Sequence, residues 1–402
     1  MRALAVACGM LLGLPGSAIA QDFSWSGLID ARLVAPSGQS SNLDGGFGKL
    51  RWGDGRGSPV IPDLGGAILR GSAALTPDLR VVAEIRYDPR QKTAVDLIDA
   101  YVRWRPVSTS RWRLSLKAGA FFPPVSLENT NIGWTPEWTV TSSAINSWVG
   151  EELRILGGEA MLEWRGDVDR LALTVSAFGM NEPAGEAIAD RGWTFSDRPT
   201  GLLDHIRLPN VEFTPPGPAY SYNFRQLDHA VGWYAGVSWE RPDVGRIALL
   251  HYDNGADPAA FDGTEFGWRT KFWSLGLSTQ IGPVVLLSQG MIGTTAIVPN
   301  VSSPSTTAFW AWYVLAGIER GAWRYALRLD QFGTREITPG FGLKGDERGM
   351  AGTAAVTWTP RKGMSITGEV LTVGYDQSSR AKIGKSPHAI ETQAQLAFRL
   401  SF

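Results

Sequence analysis

The chain has 402 residues, 44% hydrophobic and only 19% charged, below the roughly 25% charge of ordinary soluble domains. Lys plus Arg (38) balances Asp plus Glu (39), which excludes the basic footprint of a nucleic-acid binder and the acidic bias of a disordered chain. Its 17 Trp, 16 Phe and 9 Tyr sit among 47 Gly and 24 Pro, a composition of short aromatic segments cut by many turns.

At the N-terminus, Arg2 precedes an apolar run from Ala3 to Leu14, then Pro15, Gly16 and the small residues Ser17-Ala18-Ile19-Ala20. The run is too short to cross a bilayer and ends in an A-x-A-like site, so residues 1–20 are expected to be a signal peptide cut after Ala20. Cys8, the chain's single cysteine, leaves with it. That excludes a disulfide framework, a Cys zinc site and a catalytic thiol in the exported chain. Beyond Gln21 no stretch approaches the ~18 apolar residues of a transmembrane helix.

From there to the end the chain alternates apolar and polar residues in segments of about ten, the pattern of a membrane-spanning β-barrel. The predicted strands are 23–35, 67–76, 79–88, 95–105, 111–122, 155–165, 169–179, 229–240, 244–254, 266–281, 283–293, 308–320, 322–332, 347–359, 363–375 and 387–402. That is sixteen, an even number. Tight joints such as Thr76-Pro77-Asp78-Leu79, Arg241-Pro242-Asp243 and Ile281-Gly282-Pro283 alternate with long ones, chiefly 36–66, 123–154 and 180–228. Short turns at one end and long loops at the other suit a bacterial barrel better than a soluble sandwich.

Tryptophan sharpens the reading. Trp25, Trp104, Trp112, Trp164, Trp239, Trp323 and Trp358 lie beside the chain start or a tight turn, each on the apolar parity of its strand. Trp104, for example, shares a parity with Ile98, Ala100 and Val102. Seven rings at one end, facing one way, predict an interfacial girdle. On the opposite parity, Arg70, Arg80, Arg86, Arg103, Arg105, Arg113 and Lys117 form a basic ladder, interrupted by Glu84 and Asp99. Further inward charges are Arg32, Glu159, Glu163, Arg165, Arg324, Arg328, Asp330, Glu369, Glu391 and Arg399.

The last strand is the most specific. Ile390, Thr392, Ala394, Leu396, Phe398, Leu400 and Phe402 occupy one parity, and Glu391, Gln393, Gln395, Ala397, Arg399 and Ser401 the other. This strand, ending on an aromatic, resembles that of Gram-negative outer-membrane porins. The resemblance implies an all-β fold: an outer-membrane antiparallel barrel over 21–402 with short periplasmic turns, long extracellular loops and a third loop folded into the lumen. It further implies outer-membrane lipids and lipopolysaccharide around the barrel, an assembly machinery that reads Phe402, and a homotrimer. It also suggests that Glu128, Glu137, Glu151 and Glu152 of loop 123–154 face Arg70, Arg86, Arg103 and Arg113 across a constriction. Opposite charges across a narrow pore make a transverse field that orders water and favours small polar solutes.

The function expected is therefore passive diffusion of small hydrophilic solutes with a modest anion preference. A barrel selective for phosphate or an organic anion is the alternative. A third reading takes His251-Tyr252-Asp253-Asn254-Gly255, which resembles the His-x-Ser-Asn-Gly run of outer-membrane phospholipases. Asp253 stands where the nucleophilic hydroxyl should be, so no catalytic residue is assigned. A soluble secreted β-protein is a fourth reading, and it would need stability without detergent. Neither zinc-ligand spacing nor a phosphate loop is present, and no cofactor or metal is expected. The Asp253–Asp262 stretch lacks EF-hand spacing and reads as an acidic surface loop.

Overall fold

A computed structural model describes residues 22–36, 39–53, 55, 60–209, 220–298, 304–338 and 345–402, so the expected export segment 1–20 lies outside the described residues. The strands are β1 (Asp22–Ala35), β2 (Ile61–Ala74), β3 (Leu79–Tyr87), β4 (Val95–Trp104), β5 (Trp112–Phe121), β6 (Ile155–Arg165), β7 (Arg170–Gly179), β8 (His205–Arg207) and β9 (Tyr220–Tyr222). They continue with β10 (Val231–Arg241), β11 (Gly245–Asp253), β12 (Arg269–Ile281), β13 (Val284–Ile297), β14 (Ser305–Arg320), β15 (Trp323–Thr338), β16 (Glu347–Arg361), β17 (Met364–Gln377) and β18 (His388–Ser401). All except β8 and β9 close into one antiparallel sixteen-stranded barrel, as alternation predicts. β8 and β9 pair as a separate ribbon within the loop after β7.

The seam joins β1 to β18, from Leu28 opposite Ser401 to Ala35 opposite Ala394. Phe402 completes it, its N–H donating to the Gly27 carbonyl at 3.1 Å while its own carbonyl accepts from Gly27 N–H at 3.0 Å. The tight turns need left-handed backbone, and glycine supplies it at Gly282 (φ 58°) and Gly321 (φ 60°).

Two bulges correct the sequence reading. A register shift at Asp30/Ala31 lets β2 begin at Ile61, six residues before the expected start. A second shift, at Glu84/Ile85, inserts Ile98 as an extra residue in β4. Ile98 therefore turns inward and is fully buried, although its parity in the sequence matched Trp104. One inserted residue reverses every later side chain, which strict period-two counting cannot anticipate.

The seven tryptophans of the expected girdle all point outward. Trp25, Trp104, Trp112, Trp323 and Trp358 are exposed there, and Trp164 and Trp239 half-buried. Trp25 meets Phe402 edge-on at 5.3 Å, Trp323 stacks on Trp358 at 6.0 Å, and Trp112 stands opposite Trp164.

The inward face is less polar than the alternation suggests. Phe178, Tyr234, Tyr252, Phe272, Phe309, Tyr313, Phe332 and Tyr375 all point inside and are buried. What covers them is the loops. Helix α1 (Ala144–Glu152) and helix α2 (Ala184–Arg191) lie within the barrel and share one apolar cluster with its wall. Every residue of α1 is buried, and Ser143 caps it by accepting a hydrogen bond from Asn146 N–H. Trp148 contacts Trp193, Phe272 and Phe309 at ring-centroid distances of 5.9, 5.5 and 5.3 Å. Fully burying a side chain of this size contributes about 1.5–3 kcal/mol, enough to hold an otherwise irregular segment against a β-wall.

Candidate functional site: the lumen and its three inserted segments

The loop after β5 crosses the lumen and ties to both sides. Leu127 packs on Gly276 of β12, and Trp138 lies so close over Gly317 of β14 that any side chain there would collide with it. Val140 and Thr141 donate backbone N–H groups to Glu369 of β17 at 2.5 and 3.1 Å. Gly133, with φ 70°, donates to Glu84 of β3 at 2.7 Å.

The acidic residues of this segment do not meet the arginines expected of them. Glu128 pairs with Arg328 of β15 at 2.6 Å, and Glu137 lies 3.8 Å from Arg324. Glu151 and Glu152 both pair with Arg191, in the loop after β7. The predicted pairing with Arg70, Arg86, Arg103 and Arg113 is therefore corrected. Glu128 and Glu137 lie on the β15 side of the lumen, and for Glu151 and Glu152 a second loop brings its own cation. Burial pushes Glu152 up to about 8, since Arg191 offers one positive charge to two sealed carboxyls. The same loop carries a base that an acidic reading of it overlooks. Arg154 stacks on Phe122 at 3.6 Å and donates to the carbonyls of Gly150 and Thr200, each at 2.8 Å.

Two further segments add to the plug. In the loop after β1, Lys49 pairs with Glu347 of β16, and Arg51 reaches Asp197 at 3.0 Å. In the loop after β7, Trp193 donates its indole N–H to the Gly333 carbonyl at 3.0 Å, and Asp197 also pairs with Arg32 of β1. Burial opposes ionisation of Asp197, yet Arg32 and Arg51 hold its carboxyl well below the usual carboxylate range. Nothing in the charge pattern of these loops signalled their inward path. Buried apolar residues flanking the charges (Leu50, Trp52, Trp193 and Phe195) were the readable clue.

The wall formed by β2–β6 differs. Arg70, Arg80, Arg103, Arg105, Arg113 and Lys117 point inward as expected and stay half-exposed, whereas Arg86, nearer the loops, is buried. Arg80 stands directly opposite Arg103, Arg103 opposite Lys117, and Lys117 opposite Glu159. Like charges in register destabilise a sheet, so three adjacent bases are a cost the fold carries. Lys117 is neutralised by Glu159 at 3.0 Å, and Arg80 bonds Ser72 Oγ at 2.9 Å, while Arg70 leans on the Tyr101 hydroxyl at 3.3 Å. The Nε atoms of Arg105 and Arg113 have no hydrogen-bond partner among the described residues.

His251 faces outward, wedged between Trp233 and Trp273 at 5.1 and 4.4 Å, its Nδ1 without a hydrogen-bond partner among the described residues. Asp253 is engaged by Arg269 at 3.1 Å and by Gly255 N–H at 2.9 Å, the local geometry of a loop start. Among the described residues no group of three or more His, Cys, Asp or Glu side chains could hold a metal ion.

No protein-family model and no curated relative matches the chain. Solved structures do. The outer membrane channel DcaP of Acinetobacter baumannii superposes with a TM-score of 0.60 at 12% identity, covering 97% of this chain and 99% of that one. The anion-selective porin from Comamonas acidovorans gives 0.52 at 12% identity, over 95% and 99% of the two chains. The trimer form of OmpT, an outer membrane protein of Vibrio cholerae, gives 0.52 at 8% identity, over 95% and 99%. At such identities the likeness is one of fold, and the chain has the sixteen-stranded barrel of outer-membrane porins.

Proposed function

We propose that the protein is an outer-membrane channel for small hydrophilic solutes with a modest preference for anions. The observation that carries this reading is the contrast between the two walls. Toward the loops, inward residues of β12–β18 such as Arg328, Asp330, Glu369 and Glu391 are sealed beneath the inserted segments, while the bases Arg80, Arg103, Arg105, Arg113 and Lys117 on β3–β5 keep solvent contact and outnumber the half-exposed Arg324 and Arg399 opposite. A row of like-charged side chains is retained despite its cost because it concentrates anions in a confined aqueous space. The outward apolar strands with their tryptophan girdle suit a bilayer, and the expected leader 1–20 suits export. Phe402 at the seam suits the proposed assembly signal, and the trimer form of the Vibrio cholerae protein suits a homotrimer here. In this reading the barrel touches lipid and lipopolysaccharide and performs no catalysis, since beside His251 the position of a nucleophilic hydroxyl is held by Asp253, engaged by Arg269.

A selective channel for phosphate or an organic anion is the second reading. The three inserted segments favour it, since their buried side chains fill part of the lumen and narrow the aqueous route. Reversal potentials across planar bilayers in a KCl gradient test the proposal. Anions should be at least as permeant as cations, and R80Q/R103Q should move the ratio toward cations. A clear cation preference in the wild type would overturn it.

A further inference from the structure

The shortest seam of the barrel lies between β4 and β5. Five residue pairs join them, from Ala100 opposite Ala120 to Trp104 opposite Leu116, whereas every other ladder of the barrel has eight or more. Above Ala100 the two strands part. The bulge in β4 adds Ile98, and Gly119 of β5, at φ 143°, passes so close to β4 that a Cβ there would strike the Ala100 carbonyl. Beyond Phe121 the chain turns into the lumen, so the edge of β4 over residues 95–99 has no neighbouring strand on that side. A strand tilted about 40° climbs about 2.5 Å per residue, which sets Leu97 about 18 Å above Trp104 in an apolar band about 25 Å tall. The parting therefore faces the outer half of the bilayer.

Two devices close it. Segment 200–203 of the loop after β7 lies where the missing strand would be. Leu202 donates its N–H to the Leu97 carbonyl at 2.8 Å, and Leu203 donates to the Asp96 carboxylate at 2.9 Å. Asp96 is buried against Gly201, where a Cβ would sit 2.5 Å from that of Asp96. The second device is the Arg154 guanidinium. It reaches the Ile98 carbonyl of β4 at 3.4 Å, the Thr200 carbonyl at 2.8 Å and the Gly150 carbonyl of α1 at 2.8 Å, and so ties strand, segment and helix together. Outside the closure Leu203 and Val95 are 59% and 62% exposed, and inside it Ile98, Phe122 and Leu202 are buried. Lys117, over the Phe121 ring at 3.8 Å, begins the basic row just beneath. Irregular backbone persists at membrane depth only where protein covers it or it lines a cavity, and here a few hydrogen bonds stand in for a ladder. An apolar window with cations at its inner end matches an apolar tail behind an anionic head. We propose that the parted β4–β5 seam is a lateral gate, closed by segment 200–203 and Arg154, through which a single-tailed anionic amphiphile passes between the outer leaflet and the lumen. The proposal rests on the pore reading and adds to it a sideways route and a second class of solute.

The test places the full chain in phosphatidylcholine vesicles doped with a phosphatidylcholine that carries a diazirine at the end of one acyl chain, a probe held in the bilayer. After irradiation, mass spectrometry compares adducts on sealed Phe122 with those on outward Leu114. Losing one hydrogen bond shifts a closed–open balance about fivefold, so R154Q should raise the Phe122 to Leu114 ratio by about that factor. D96C/G201C reports both directions in one molecule, because the sequence holds no cysteine beyond Cys8. The adjacent Cβ positions need a shift of only about 1 Å to reach disulfide spacing, and thiol titration confirms the bond. Oxidised, this variant should lose the Phe122 adduct; reduced, it should gain it as R154Q does. Dodecanoate added to the reduced form should compete the adduct away, and tailless succinate should not. Heat-shifted gel migration establishes that each variant is a closed barrel. A ratio equal in the oxidised and reduced forms, or unmoved by R154Q, overturns the gate, and an adduct insensitive to dodecanoate overturns the solute class. Single-channel current in KCl separates the two readings. Current that persists in the oxidised variant leaves the pore intact whatever the adducts show, and no current in any form overturns the pore reading while the adducts still decide the gate.

Discussion

Arg328 shows how a single side chain can hold a loop inside a barrel. Its guanidinium is fully buried and reaches Asp330 at 2.8 Å, Glu128 at 2.6 Å, the Thr141 and Ser142 carbonyls at 2.7 and 3.0 Å, and Thr353 Oγ1 at 3.2 Å. Removing one partner of such a buried network leaves uncompensated charge, a cost of about 3–5 kcal/mol. R328A should release the loop after β5 from the β15 wall. Hydrogen exchange of α1 amides should then accelerate, and single-channel current should become larger and noisier. The double variant R328M/E128M leaves one buried carboxylate, Asp330, instead of two and should be less perturbed than R328A alone. Unchanged exchange in R328A would mean that apolar packing by Trp138 and Trp148 alone fixes the segment.

Helix α2 is the element whose hold on the wall should vary most with pH. Glu182, just before it, is buried and takes two 3.2 Å hydrogen bonds from Asn254, and burial pushes its carboxyl up to about 8. A group whose pKa rises on folding contributes stability that is whole below its ordinary value of 4.5 and is lost as pH climbs through about 8. Nearby Asp228 raises it further, and Asp190 within α2, up at about 7, adds in the same direction. Amide exchange of α2, corrected for intrinsic rate, should therefore quicken between pH 6 and pH 9, and the change should be smaller in E182Q. A pH-independent profile would show that the carboxyl does not titrate in this range. The bulge that turns Ile98 inward belongs to this scale as well. It places an apolar side chain in the cluster beneath α1, beside the Arg154 guanidinium, which reaches the Ile98 carbonyl at 3.4 Å.

For the whole barrel, closure depends on the β1–β18 seam. Phe402 packs on Trp25 and covers Gly27, where any side chain would strike its ring. Aromatic pairs contribute about 0.5–1.5 kcal/mol beyond area burial, so F402A should lower the temperature of the heat-induced gel shift by a few degrees. It should also slow assembly in the proposed setting. An unaltered shift would leave the main-chain bonds to Gly27 as the whole of the seam. The girdle adds a test at the same scale, since brominated lipids should quench Trp112, Trp323 and Trp358 most strongly when the bromines sit near the headgroups.

The barrel itself was legible in the linear chain. Strand number, turn order, the outward tryptophans and the inward bases follow from period two and turn chemistry, which are local; the bulge that turns Ile98 inward is where that counting fails. It also marked the C-terminal strand, because alternation up to a terminal Phe needs no partner to be visible. What fills the barrel was settled by the folded chain alone. Whether Glu128 meets Arg86 or Arg328, or whether Glu151 finds Arg70 or Arg191, depends on the path of irregular segments whose side chains have no period. That path is chosen by burial of Trp148, Trp193 and Phe195 against aromatics from strands far apart in sequence, a non-local match that linear spacing does not encode.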